Sequence, residues 1–223
     1  MFEKALKRIA FALLFAPAIL IPSLGFAQVT VIDMIPNNMS DETNFDKEPF
    51  LSINYATPLT MAATAFMPTP AMLNNGPMLV SFDGGNTWVA RNIIPSSPGS
   101  FLNTGDITIR FNTSGTALYA GYLRVGGAGG LEISRTTDMA NLNTPLTLLN
   151  TPRSTDQPYI SARTVTGWFD SGLDRLWVGN NDGANSPKSA TVDQTLDAGA
   201  MMPTFSQIRV DQDSPVGRDN YQC

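Results

Sequence analysis

Histidine is missing from this chain altogether. Its absence excludes Ser-His-Asp triads, histidine general bases and His-ligated zinc, so any hydrolytic chemistry has to run on carboxylates, tyrosine or a hard metal. Cysteine occurs once, at the last position, Cys223, which rules out a disulfide within the chain. Charge is scarce too: Asp, Glu, Lys and Arg make up 15% of the residues, and 14 basic residues against 19 acidic ones leave a net charge of −5. With no basic run, the chain is a poor match for nucleic acid or an anionic membrane surface. What it has in quantity are turn formers, 18 glycines and 16 prolines with many Asn and Thr, as expected of a turn-rich β protein.

The first 27 residues read as an address. Lys4, Lys7 and Arg8 form a basic start, IAFALLFAPAIL an apolar centre, and Gly25 and Ala27 place small residues at the −3 and −1 positions of a cleavage before Gln28. Pro17 and Pro22 break the apolar run, which is short for a bilayer span. The expectation is a cleaved signal peptide over 1–27, an N-terminal strand or linker over 28–40, and export to the periplasm, the cell surface or the medium. Cleavage removes three basic residues and one acidic one, which shifts the net charge from −5 to −7. No second hydrophobic span follows, so no transmembrane segment is expected in the mature chain.

Residues 81–88, SFDGGNTW, carry the sharpest local signal. The flanks PMLV and VARNII are strand-like, so the segment reads as a hairpin. Asp83 can fold its carboxylate onto backbone N–H groups of the turn, and Gly84 and Gly85 supply positive φ angles. Ser81 and Thr87 can add hydroxyl hydrogen bonds, and Trp88 can lay its ring against a neighbouring sheet. The octapeptide fits S-x-D-x-G-x-T-W and so resembles the Asp-box, or BNR, repeat of the sialidase superfamily of β-propellers. The resemblance covers roughly residues 40–223. It implies a structural role for Ser81, Asp83, Gly85, Thr87 and Trp88, because the family carries this box on outer turns away from the substrate.

A composite repeat surrounds the box. Three segments open on an acidic residue and continue as two strand-like runs: EPFLSINYATPLTMAATAF from Glu48, DITIRFNTSGTALYAGYL from Asp106 and DQPYISARTVTGWFDSGLDRLWVGNN from Asp156. Each is followed by a box or a decayed copy. The second copy is SRTTDMANL, with Ser134 and Asp138 retained; the third is TLDAGAMMPTF, with Thr195, Asp197, Gly199 and a late aromatic, Phe205. Box aspartates at 83, 138 and 197 are 55 and 59 residues apart, enough for four short strands each. The expected fold is therefore all-β: a propeller of four-stranded antiparallel blades over 41–223, with a β-sandwich as the alternative. About three blades are present, and a similar step beyond Asp197 reaches Asp219, where a fourth would begin. Because propellers close with about four to eight blades, the expectation is a fragment of a longer protein, or else several copies sharing one ring.

Enzymes of the resembled family clamp a sialic-acid carboxylate with three arginines and use a glutamate-activated tyrosine as nucleophile. The first clamp arginine belongs to an F-R-I-P-like motif, and the corresponding strand here reads EPFLSI, without arginine. Arg110, Arg135, Arg163 and Arg175 remain, and the Tyr–Glu pair belongs to later blades. The better candidates are the acidic openings. If Glu48, Asp106 and Asp156 take equivalent positions on innermost strands, they surround a channel mouth and can bind sugar hydroxyls or a hard cation such as calcium. Arg110 and Tyr159, with Trp168, are further candidates for ligand contact. No other cofactor is expected. Two functions stay open: a sialidase-type glycoside hydrolase or a relative of it, and a non-catalytic exported propeller binding a glycan, a glycoprotein or another protein partner.

Overall fold

A computed structural model describes residues 31–32, 47–66, 78–91, 103–125, 130–151, 153–167, 171–182 and 189–210. The expected signal peptide, nearly all of the 28–40 linker, Trp168 and the expected start of a fourth blade lie outside these residues. The chain divides into two compact units, Met1–Val31 and Ile32–Cys223, and everything below concerns the second. Among the described residues no helix is long and apolar enough to cross a membrane.

The second unit is all-β, with three four-stranded antiparallel sheets. Sheet one comprises β1 (Lys47–Ile53), β2 (Met61–Phe66), β3 (Met78–Ser81) and β4 (Val89–Arg91). Sheet two comprises β5 (Asn103–Phe111), β6 (Leu118–Val125), β7 (Gly130–Thr136) and β8 (Thr147–Leu148). Sheet three comprises β9 (Asp156–Thr164), β10 (Asp174–Asp182), β11 (Ser189–Thr195) and β12 (Ser206–Arg209). In each, spatial order follows chain order, so every sheet is a simple up-and-down meander. The arrangement is compatible with a propeller-like fold.

Alternation of side chains explains the packing. In β5 the residues Ile107, Ile109 and Phe111 point to one face and join Ala62, Met78 and Val80 of sheet one in a first core. From the opposite face of sheet two, Tyr119, Leu131 and Ile133 meet Ile160, Ala162, Leu176 and Val178 of sheet three in a second core. Sheet two is thus apolar on both faces, as a layer between two others must be. Sheet two therefore has one face toward the sheet that follows and one toward the sheet that precedes, and the first strands β5 and β9 carry most of the packing onto the preceding sheet.

Turns and inter-sheet seams are held by polar groups that repeat. Asn54 and Asn112 each follow a first strand; the Asn54 side chain donates to Gly115 O (2.8 Å), and that of Asn112 to both Asp174 oxygens (3.0 and 2.8 Å). Asp174 is buried and also accepts from Tyr119 OH (2.6 Å) and Thr164 Oγ1 (2.7 Å). Burial first, and then the Asp174 carboxylate, push the Tyr119 phenol well above its usual range, so it stays a donor.

Candidate functional site

Two sets of residues singled out by the sequence lie at different places, the box set assembled whole and the ligand set in part. The box turn forms as its chemistry requires. Ser81 Oγ donates to Asp83 Oδ1 (2.8 Å) and accepts from Gly85 N (2.9 Å). Asp83 accepts from Thr87 N (2.9 Å) through one oxygen and from Thr87 Oγ1 (2.7 Å) through the other. The Thr87 hydroxyl, then its amide, hold the Asp83 carboxyl down at about 2. Gly84 and Gly85 take φ of 73° and 91°. Trp88 folds back on its own turn, its indole N–H donating to Gly85 O (3.0 Å).

The decayed copies occupy the same place, between the third and fourth strands of their sheets. In the second the hydroxyl that matters is Thr136 and not Ser134: Thr136 Oγ1 accepts from Asp138 N (3.1 Å), whereas Ser134 Oγ pairs with Tyr122 OH (3.0 Å). Asp138 Oδ1 then accepts from Ala140 N and Asn141 N, each at 3.2 Å. In the third, Asp197 N donates to Thr195 Oγ1 (3.4 Å), and Gly199 is not in the left-handed region. The shared element is thus a hydroxyl on the last residue of the third strand, followed two residues later by aspartate. Arginines tie these turns to the sheet before. Buried Arg91 donates to Thr144 O, Thr136 Oγ1 and Asp138 O at 2.9, 2.9 and 2.7 Å, and Arg135 donates to Ala198 O (2.7 Å).

The ligand candidates cluster at the other end of the strands. Each first strand carries a β-bulge near its start, two residues facing one: between Lys47 and Phe50, Thr104 and Ile107, and Asp156 and Tyr159. The bulges line one cleft of about 230 Å³, formed by Glu48-Pro49-Phe50, Asp106-Ile107-Thr108 and Gln157-Pro158-Tyr159. Glu48 and Gln157 have φ of 52° and 49°, a left-handed conformation that costs a non-glycine residue about 1–2 kcal/mol. Strain of this kind persists where the surroundings enforce it, often at ligand sites.

The expected set is only partly assembled. Glu48 and Asp106 match, each six residues before its turn asparagine, and both line the cleft. In sheet three the matching residue is Gln157, which stands one residue after the bulge opens at Asp156, as Glu48 stands after Lys47. Asp156 is exposed outside the lining and accepts from Gln157 N (3.0 Å). Asp106 is half-buried; burial first, then the carboxylates of Glu48 and Asp156, push its carboxyl above the usual range. Among the described residues no three acidic or cysteine side chains stand close enough to hold a metal ion, so the calcium arrangement is not formed by this trio. Tyr159 lines the cleft beside Pro158. Arg110 does not; its guanidinium stacks 5.4 Å from the centre of the Phe50 ring. None of Arg110, Arg135, Arg163 and Arg175 is among the lining residues.

Sequence reasoning missed Gln157, Pro49 and Pro158. Their signal was present, since EPF and QPY are the same tripeptide pattern, with proline placed at a bulge where it forfeits no ladder bond. No protein-family model matches the chain, and no curated protein matches it either.

Proposed function

We propose that this chain is an exported, sialidase-like propeller protein of the Asp-box class whose inner-strand cleft binds glycan. The observation that carries the reading is the convergence of three bulged strands on one cleft lined by Glu48, Asp106, Gln157 and the rings of Phe50 and Tyr159. Carboxylate and amide oxygens accept from sugar hydroxyls, while aromatic and proline faces suit the apolar faces of pyranose rings. The blade-like sheets and the three hydroxyl-x-Asp turns support the family resemblance, and the basic-apolar N-terminus supports export.

Binding is favoured over hydrolysis because, among the described residues, the lining contains no arginine to clamp a sialic-acid carboxylate. One feature favours hydrolysis as the second reading: Asp106 is held toward its protonated form, which suits a general acid. Calorimetric titration with neutral and sialylated oligosaccharides tests the proposal. The expected result is saturable binding that Asp106→Asn weakens about tenfold, the worth of one charged hydrogen bond. Affinity unchanged by that substitution overturns the cleft assignment, and turnover of a fluorogenic sialoside moves the reading to the hydrolase.

A further inference from the structure

A hollow of about 470 Å³ opens between sheets one and two at the end of the strands that carries the box turns, away from the cleft. Its volume falls within the range of about 300–1,000 Å³ usual for small-ligand pockets. Phe82, Phe111, Ala117 and Met139 give it an apolar lining, with Thr116 and Asp138 exposed at its mouth. Phe82 is itself 45% exposed.

Strand register shows what stands at the same place one seam further on. The turn hydroxyls Ser81, Thr136 and Thr195 pair with Met61, Leu118 and Leu176 of their second strands. One residue along, sheet two carries the cross-strand pair Tyr119–Arg135 and sheet one the pair Ala62–Val80. Tyr119 and Arg135 cross their seam: the phenol donates to the Asp174 carboxylate (2.6 Å) and the guanidinium to Ala198 O (2.7 Å). Ala62 and Val80 are too short to cross theirs. Phe111 and Met139 stand where the later seam has Ala162 and Ala198, and they floor the hollow without closing it. Thr116 holds the place of Asp174, two residues before the Leu118 that matches Leu176, so the buried carboxylate is missing as well.

The second turn supplies a carboxylate instead. In the first turn the Thr87 hydroxyl donates to Asp83 Oδ2 (2.7 Å). Asp138 keeps two turn amides on Oδ1, but Leu142 stands at the place of Thr87 and packs against the first core. Oδ2 of the exposed Asp138 has therefore lost its hydroxyl donor at the mouth of an apolar hollow. The Arg91 guanidinium, bonded to Asp138 O (2.7 Å), disfavours a ligand cation there and makes a neutral donor the better fit.

We propose that the hollow between sheets one and two is a binding site for a phenol, the ring packed on Phe82, Phe111 and Met139 and the hydroxyl donating to Asp138. The molecule holds such a group itself in the next seam, where the buried Tyr119 ring places its hydroxyl on a carboxylate. Ring burial supplies affinity, and a hydroxyl bonded to an ionised acceptor supplies orientation.

NMR titration of the folded chain with 4-ethylphenol, a free phenol, and N-acetyltyrosinamide, a peptide-borne one, tests this. Saturable shifts of the Phe82, Thr116 and Met139 signals are expected, and the tighter of the two probes identifies the source of the phenol. The methyl ether of 4-ethylphenol keeps the ring and loses the donor, and it should bind at least about tenfold more weakly. Asp138→Asn keeps an acceptor for the turn amides and should weaken 4-ethylphenol about tenfold. Ala140→Trp, at an exposed lining position, should fill the hollow and abolish binding, with circular dichroism as the control for folding. Binding by neither phenol, an ether that binds as tightly, an Asp138→Asn or Ala140→Trp variant of unchanged affinity, or shifts confined to Phe50 and Tyr159 in the cleft each overturns the proposal.

Discussion

Asp83 is only half-buried, yet its carboxylate accepts three bonds from within four residues. These bonds need the ionised form, so its value falls from 3.8 to about 2. A carboxyl depressed on folding stabilises the native state above its unfolded value and loses that contribution as the pH falls through its folded value. The turn should therefore stay closed at pH 4 and open as the pH drops through about 2. Carbon-detected NMR titration of Asp83, with exchange of the Thr87 amide read alongside, checks this; a carboxyl titrating near 4 would contradict it. Asp106 has the opposite sign. Its raised value favours the protonated form in the fold, so its contribution is present at low pH and lost as the pH rises through that value. A residue can thus carry the same charge as its neighbour in the sequence signal and play the opposite part in stability.

At the scale of elements, the three third-to-fourth-strand turns form a graded series. Ser81 is buried and bridges Asp83 and the Gly85 amide, so Ser81→Ala strands two polar partners and should cost about 1–2 kcal/mol. Thr136→Ala should cost at least as much, because Thr136 also receives Arg91 from the sheet before. Thr195→Ala should cost least, about 0.5 kcal/mol, since Thr195 makes one long bond to Asp197 N. Urea unfolding of the three variants ranks them, and an equal loss in all three would refute the grading. The first turn was legible because a complete local motif encodes it. Thr136 was misread as Ser134 because, without the glycine and the tryptophan, two hydroxyls stand near one aspartate, and only strand register decides between them. The bulges were invisible for a similar reason: an extra residue leaves no mark on alternation when proline and acidic residues occupy it. Asp156 was preferred to Gln157 on charge, and the backbone chose otherwise.

For the molecule as a whole, the meander and the period were readable, and the seams were not. Alternating patterns fix which residues are inside, but Gly121 against Pro158 or Arg91 against the Asp138 turn join residues 37 and 47 positions apart. Stability should be distributed accordingly. The second strand of each sheet is paired on both sides, whereas β4 and β8 are three and two residues long at the sheet edge. Native-state hydrogen exchange should find the β6 amides opening only with global unfolding, and the β4 and β8 amides opening by local fraying. Uniform protection across the sheets would contradict this ordering.

The Asp83 turn has a kinetic consequence as well. Apart from the Gly84 N bond to Leu59 O, its bonds close within residues 81–88, so almost no chain entropy opposes them. Contacts this local form on the microsecond scale of hairpins, long before β1 can meet β5. Each sheet would then begin to fold at its outer rim, with the cleft-lining inner strand arriving last. Changes in the box should slow folding, and changes at the cleft should mainly speed unfolding.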